Sequence, residues 1–278
     1  MLAGAMLMWW ILTVPSLLFV TIDIWRTTPE SPVLKWAFVI LTAFTGPLGA
    51  FFYVLGCREP VPGVHEAYVA ARWRQVLGST MHCVAGDGIG IIVGAAIGAQ
   101  LALSFWSDFV LEYTLGFGFG WAFFQAFAMR DSAGGSYLTS LKMTFLPELL
   151  SMNLLMSGMV LTARFTMPHV QHSHDPLRPE FWFVMSMALI VGFVFAYPIN
   201  WWLVANHMKH GMMTIRRRPV AGPMAGMADM TDMAEEHESM AGMEMAAGEQ
   251  PSTGVKTAMT VATFVALGIA LALVTMYA

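Results

Sequence analysis

Charge and cysteine are scarce in this sequence, and each scarcity excludes something. Only 12% of the 278 residues are charged, against roughly 25% in ordinary soluble domains, so a water-soluble globule is excluded and an integral membrane protein fits. Two cysteines, Cys57 and Cys83, supply neither a disulfide framework nor a CxxC zinc pattern. The net charge of −4 excludes a nucleic-acid partner. There is no ATP-binding motif, no nucleophile motif and no haem-type histidine pair, so neither an enzyme nor an ATP-driven pump is expected.

What the chain has in quantity is apolar length. Seven hydrophobic runs stand at approximately 5–25, 36–56, 79–105, 108–129, 141–164, 180–205 and 257–277, each near the ~20 residues that cross the hydrocarbon. The expected fold is all-α, a polytopic transmembrane helical bundle of about seven helices. It divides into a six-helix core over 1–206, a flexible Met-rich loop over 207–256 and a C-terminal transmembrane helix over 257–278. The first run has no basic leader and no small-x-small cleavage site, so it is expected to be a retained anchor. Lys and Arg counts across seven spans put the N-terminus inside and the C-terminus outside. Residues from Ala67 onward read as an interfacial amphipathic helix with Trp73 at the boundary.

The third run, Ser79 to Phe105, carries Gly86, Gly90, Gly94 and Gly98 at four-residue spacing, a flat stripe for close helix packing. GDGIG within it is no dinucleotide loop, since it opens no βαβ unit. The same run holds His82, Cys83 and Asp87, and a carboxylate in lipid requires a partner. Because successive spans alternate in direction, Gln125, Glu148 and Asn200 fall in the same membrane layer. That convergence predicts either a structural polar layer or a buried metal site using His82, Cys83, Asp87 and Glu148. In the fifth run Met152, Met156 and Met159 share one helix face, which is either core filler or a thioether ladder for a soft ion.

Two polar segments add candidate ligands. Met224, Met227, Met230 and Met233, then His237, Met240, Met243 and Met245 lie in a Gly-, Ala- and acid-rich stretch with no core for methionine to fill. Thioethers in water have little structural purpose, whereas Cu(I) binds several at once. The loop MPHVQHSHD offers His169, His172 and His174, a harder set suited to Cu(II) or Zn(II).

His82-Cys83 with Gly86-Asp87 (HCxxGD), the span ending Phe124-Gln125, and Tyr197-Pro198-Ile199-Asn200-Trp201-Trp202-Leu203 (YPxNWWL), with Lys209 and Met212 nearby, resemble a bacterial polytopic membrane-protein family of unknown function. The resemblance covers roughly residues 40–215. It departs at Lys142-Met143-Thr144, where a Lys-Ala-Asp-type start is expected, and the Met-rich segment is an addition to the pattern. The resemblance implies a multi-pass protein of the bacterial inner membrane and no established reaction. The residues themselves point to soft-metal (Cu(I)) binding or transport, with the lipid bilayer, the metal ion and a copper chaperone or larger membrane complex as partners. The alternative is an accessory or assembly subunit whose polar layer is purely structural.

Overall fold

The computed structural model describes residues 2–126, 136–212 and 250–277, and among these there is no strand. The helices are α1 (Leu2–Thr27), α2 (Pro32–Thr45), α3 (Pro47–Phe52), α4 (His65–Val69), α5 (Arg72–Gln100), α6 (Phe105–Gly118), α7 (Tyr137–Thr166), α8 (Pro179–Ala205) and α9 (Thr253–Tyr277). α3 runs on into a π-helical turn, Tyr53–Cys57, and α6 into another, Phe119–Gln125. The all-α bundle expected from the sequence is present, and α1, α5, α7, α8 and α9 are each long and apolar enough to cross a bilayer. Helix α5, 29 residues, is ~43 Å long at 1.5 Å per residue and forms the buried centre.

The second apolar run does not cross. Proline at 47 cannot extend the hydrogen-bond ladder of α2, and Gly46 takes φ +57°, ψ −130°, a conformation only glycine adopts cheaply. The chain therefore turns back on itself. The Tyr53 ring lies 5.8 Å from that of Phe38, fifteen residues earlier, which in one straight helix would be ~22 Å away. Tyr53 also meets Thr28 beyond the start of α2, hydroxyl to hydroxyl at 2.8 Å, and donates to Asp23 Oδ2 at 2.6 Å. Residues 32–57 are a re-entrant helical hairpin, which enters and leaves on one side and is covered by α1, α5 and α8. Continuity with neighbouring protein is what allows such a break at membrane depth.

α6 with its π-helical continuation, residues 105–125, runs antiparallel to α5. A Cβ on Gly98 would meet Asp108, on Gly94 the Glu112 backbone, on Gly90 the Leu115 carbonyl, and on Gly86 the Phe124 side chain. The glycine stripe thus packs against α6 along its whole length, as its spacing predicts. The interfacial helix expected from Ala67 is only the five-residue α4. Trp73 already belongs to α5, with Arg74 stacked on the Tyr68 ring at 3.6 Å. The α5–α6 connection is 101–104, so Trp106–Asp108, expected in the link, open α6.

Further on, α7 and α8 cross antiparallel where Gly158 meets Gly192. α9 lies along α7, with Asn153 Nδ2 donating to Thr263 Oγ1 at 3.1 Å. The described start of the 207–256 stretch is not loose. Met208, Lys209 and Met212 are buried against the bundle, and α9 begins at Thr253, ahead of the expected boundary.

Candidate functional site

Asp87 stands near the midpoint of α5, and Cys83 lies one turn before it on the same face. On α7, Glu148, Ser151 and Met152 share a face by the same three- and four-residue spacing, turned toward α5. The ligand atoms of Cys83, Asp87 and Glu148 all lie within 4.8 Å of one another, and all three residues are fully buried. Cys83 Sγ is 3.0 Å from Ser151 Oγ and 3.4 Å from Asp87 Oδ2. Asn200 on α8 donates from Nδ2 to Ser151 Oγ at 2.8 Å.

The group the sequence reasoning undervalued is Lys209. Just past α8 the chain turns at His207, with φ +54°, and sends the Lys209 ammonium back into the bundle. Its Nζ donates to Glu148 Oε2 at 3.0 Å and to Asn200 Oδ1 at 3.1 Å. The ion pair of Lys209 with Glu148, together with the Asn200 carbonyl oxygen, is what supports a charged ammonium at this depth. Two buried carboxyl groups should have pointed to it, because a midplane pair of acids demands a cation within reach.

Of the other candidates, some converge and some do not. The His82 ring sits beside the triad, not in it, at 5.5 Å from Phe124 and 5.8 Å from His210. Gln125 is buried at the same level and lines a cavity of about 270 Å³ with Lys209, His210, Gln250 and Lys256. That cavity lies on the side from which Lys209 enters, and its wall includes residues flanking both ends of 213–249. A second cavity of about 500 Å³ opens on the opposite side, lined by Ile91, Glu112, Met159, Met167, His174 and Met185 among others. Between the two lie Ile91 and the Met152 methyl, both against Gly116. Met152 and Met156 are wholly buried, and Met159 reaches the second cavity, so the α7 methionines span the gap between them.

His169, His172 and His174 do not gather into a ligand set among the described residues. All three are exposed, His169 Nδ1 pairs with the Phe165 carbonyl at 2.9 Å, and His172 turns away at φ +60°. Met224, Met227, Met230, Met233, His237, Met240, Met243 and Met245 lie outside the described residues.

A family described as a domain of unknown function, DUF4396, matches residues 72–209, which run from the start of α5 to the buried lysine. No curated protein and no solved structure matches the chain.

Proposed function

We propose that this chain binds Cu(I) inside the bilayer and passes it between the two cavities. The observation that carries the reading is the buried cluster of one thiol, two carboxyl groups and one ammonium. With both carboxyls ionised and the thiol protonated, the cluster has one uncompensated negative charge, too costly at the midplane to leave unmet. Either one proton or one monovalent cation restores neutrality. Cu(I) carries that single charge, and its preferred donors, thiolate and thioether, are offered by Cys83 and by Met152, whose methyl lies against Gly116 near the Asp87 backbone carbonyl. When Cu(I) binds, Cys83 gives up its thiol proton and becomes the thiolate ligand, the one carboxyl proton stays with Asp87 and Glu148, and one H⁺ leaves with the charge unchanged.

Further support comes from the path on either side. His210 and Gln250, which flank the Met-rich segment in the sequence, line the same cavity as Lys209, and Met156, Met159, Met167 and Met185 continue the soft donors toward the other face. Charge distribution supplies a direction. Because residues 32–57 re-enter, Arg26, Lys35, Arg58, Arg72, Arg74, Lys142 and Lys256 share one side among the described residues, and Arg164 and Arg178 sit on the other. Seven against two favours the first side as the cytoplasm of a bacterial plasma membrane, with both ends of the described chain outside. This replaces the N-inside arrangement expected from seven crossings. A cytoplasmic copper chaperone is then the natural donor to the Met-rich segment.

A second reading is favoured by the completeness of the Lys209–Glu148–Asn200–Ser151–Cys83 chain of hydrogen bonds. As an accessory or assembly subunit, the protein would use this network only to lock α5, α7 and α8 together. Competition of the purified protein with a chromogenic Cu(I) chelator separates the two. Copper transport requires Cys83→Ser and Met152→Leu each to weaken binding by tenfold or more, with deletion of 222–246 slowing loading. Equal binding by wild type and Cys83→Ser, with only the melting temperature changed, leaves the structural reading.

A further inference from the structure

A second ligand cluster lies outside the region matched by the family, where the first helix pair meets the membrane surface. Glu30 lies in the α1–α2 link, Cys57 closes the π-helical turn after α3, and His65 opens α4. Their ligand atoms all fall within 4.8 Å of one another, with His65 Nε2 to Glu30 Oε1 at 3.9 Å. All three are buried, Glu30 at 4% exposure and the other two at 0%. We propose that Glu30, Cys57 and His65 form a Zn(II) site that staples the re-entrant hairpin to the link before it and the loop after it.

Donor chemistry, geometry and charge each support the assignment. Thiolate, imidazole and carboxylate are the three donor types that Zn(II) takes together. Bond lengths of ~2.0–2.3 Å in a tetrahedron put neighbouring donors about 3.3–3.6 Å apart, so the observed spacing needs only a small contraction. Cu(I) is a poorer match here, since one donor of the three is a hard carboxylate. On binding, Cys57 gives up its proton to solvent, and the thiolate and carboxylate together cancel the ion's two charges. Lys35 faces the same Glu30 and Cys57, with its ammonium 5.1 Å over the Trp25 ring, and is a further charge beside this buried pocket.

The frame around the site is already rigid. Arg58 Nε donates to Asp23 Oδ2 at 2.7 Å, and Tyr53 binds the same carboxylate, fixing the backbone beside Cys57 to the end of α1. The Glu59 carboxylate accepts from the backbone N–H groups of Gly63 and His65 at 3.2 and 3.0 Å, which sets the first turn of α4. A π-helical turn places Cys57, and such turns frequently mark functional positions. Three protein donors leave a fourth position for water.

The test uses the full-length protein in detergent, titrated with Co(II) and then with Zn(II). Cobalt bound to a thiolate in a tetrahedral site gives a sulfur-to-metal charge-transfer band, and Zn(II) displaces it. The band is expected in wild type, retained in Cys83→Ser and absent in Cys57→Ser. Zn(II) competition against a chelator should weaken by at least about tenfold in His65→Asn and in Glu30→Gln. A wild-type protein without the band overturns the proposal, as does a band lost in Cys83→Ser and kept in Cys57→Ser. Should Cys57→Ser fail to fold, the wild-type band and the His65→Asn competition still decide. Because the readout is Co(II) and Zn(II) at Cys57, failure of Cu(I) binding at Cys83 leaves it unaffected.

Discussion

Both cysteines of this chain are buried beside a carboxylate, yet their surroundings solve the charge problem differently. Cys83 belongs to helices α5 and α7, in the middle of the bilayer, where donors from residues far apart in sequence are held at fixed depth and a lysine is supplied from a third place. Cys57 belongs to turns drawn from one short stretch, residues 30–65, where Lys35 faces Glu30 and Cys57 while Asp23 and Arg58 pair with each other. The midplane cluster has its counter-charge built in, supplied by Lys209. The peripheral cluster lies close enough to the surface to recruit an ion.

Breaking the central ion pair should separate the two regions most sharply. Lys209→Met leaves two carboxyl groups facing each other without a cation, and removing one partner of a buried pair costs about 3–5 kcal/mol. The double variant Lys209→Met with Glu148→Gln should recover much of this, since the two changes remove the pair together. Chemical denaturation in detergent measures both, and a Lys209→Met protein as stable as wild type would show that Lys209 is a bystander. No single change at Glu30, Cys57 or His65 should approach that cost in metal-free protein.

How much of this could be read in advance depends on the kind of interaction. The common depth of Asp87, Cys83, Glu148 and Asn200 was legible, because helix direction alternates and polar residues in apolar runs are conspicuous. The glycine stripe of α5 was legible for the same reason, as a regular spacing on a known periodicity. Lys209 was visible only as one more positive charge after a span. Its return into the bundle depends on the left-handed residue His207, a backbone event with no hydrophobic signature. The hairpin at Gly46–Pro47 was the costliest omission. A run of apolar residues reads as one span whether it crosses or doubles back, and only the Gly-Pro pair in its middle marked the turn. Missing it exchanged the sides of everything before residue 32. Glu30, Cys57 and His65 were illegible as a group, since the hairpin is what brings them together.

That reversal can be checked directly. Thr27→Cys and Gly63→Cys, each in a background lacking Cys57 and Cys83, lie at exposed positions before and after the re-entrant hairpin. A membrane-impermeant thiol reagent should label both from the same face of intact vesicles, the face that also reaches Gln250→Cys. Labelling of the first pair from opposite faces would restore a crossing helix. Proton exchange sharpens the functional side of the comparison. If Cu(I) displaces one proton from the Asp87–Glu148–Cys83 cluster, its apparent affinity rises about tenfold per pH unit while that proton is held. A flat dependence between about pH 6 and 8 would mean that the cluster exchanges no proton.

The smallest effects are expected from the helix-packing glycines, and they test whether the central region is as tightly fitted as its geometry implies. At Gly90 an added methyl would run into the Leu115 carbonyl and the Gly116 backbone, neither of which can swing aside. Gly90→Ala must therefore move α6 from α5, at an overpacking cost of about 1–3 kcal/mol. Gly118, on the helix that Gly90 faces, has nothing within 4 Å of the same added methyl. Gly118→Ala should fall within ±0.5 kcal/mol, or gain slightly from helix propensity. The two substitutions are chemically identical and lie in one helical hairpin, so the difference between their unfolding free energies isolates the α5–α6 contact. A difference near zero would mean that the glycine stripe does not set the spacing of the helices around Asp87, and that the carboxylate is positioned from α7 alone.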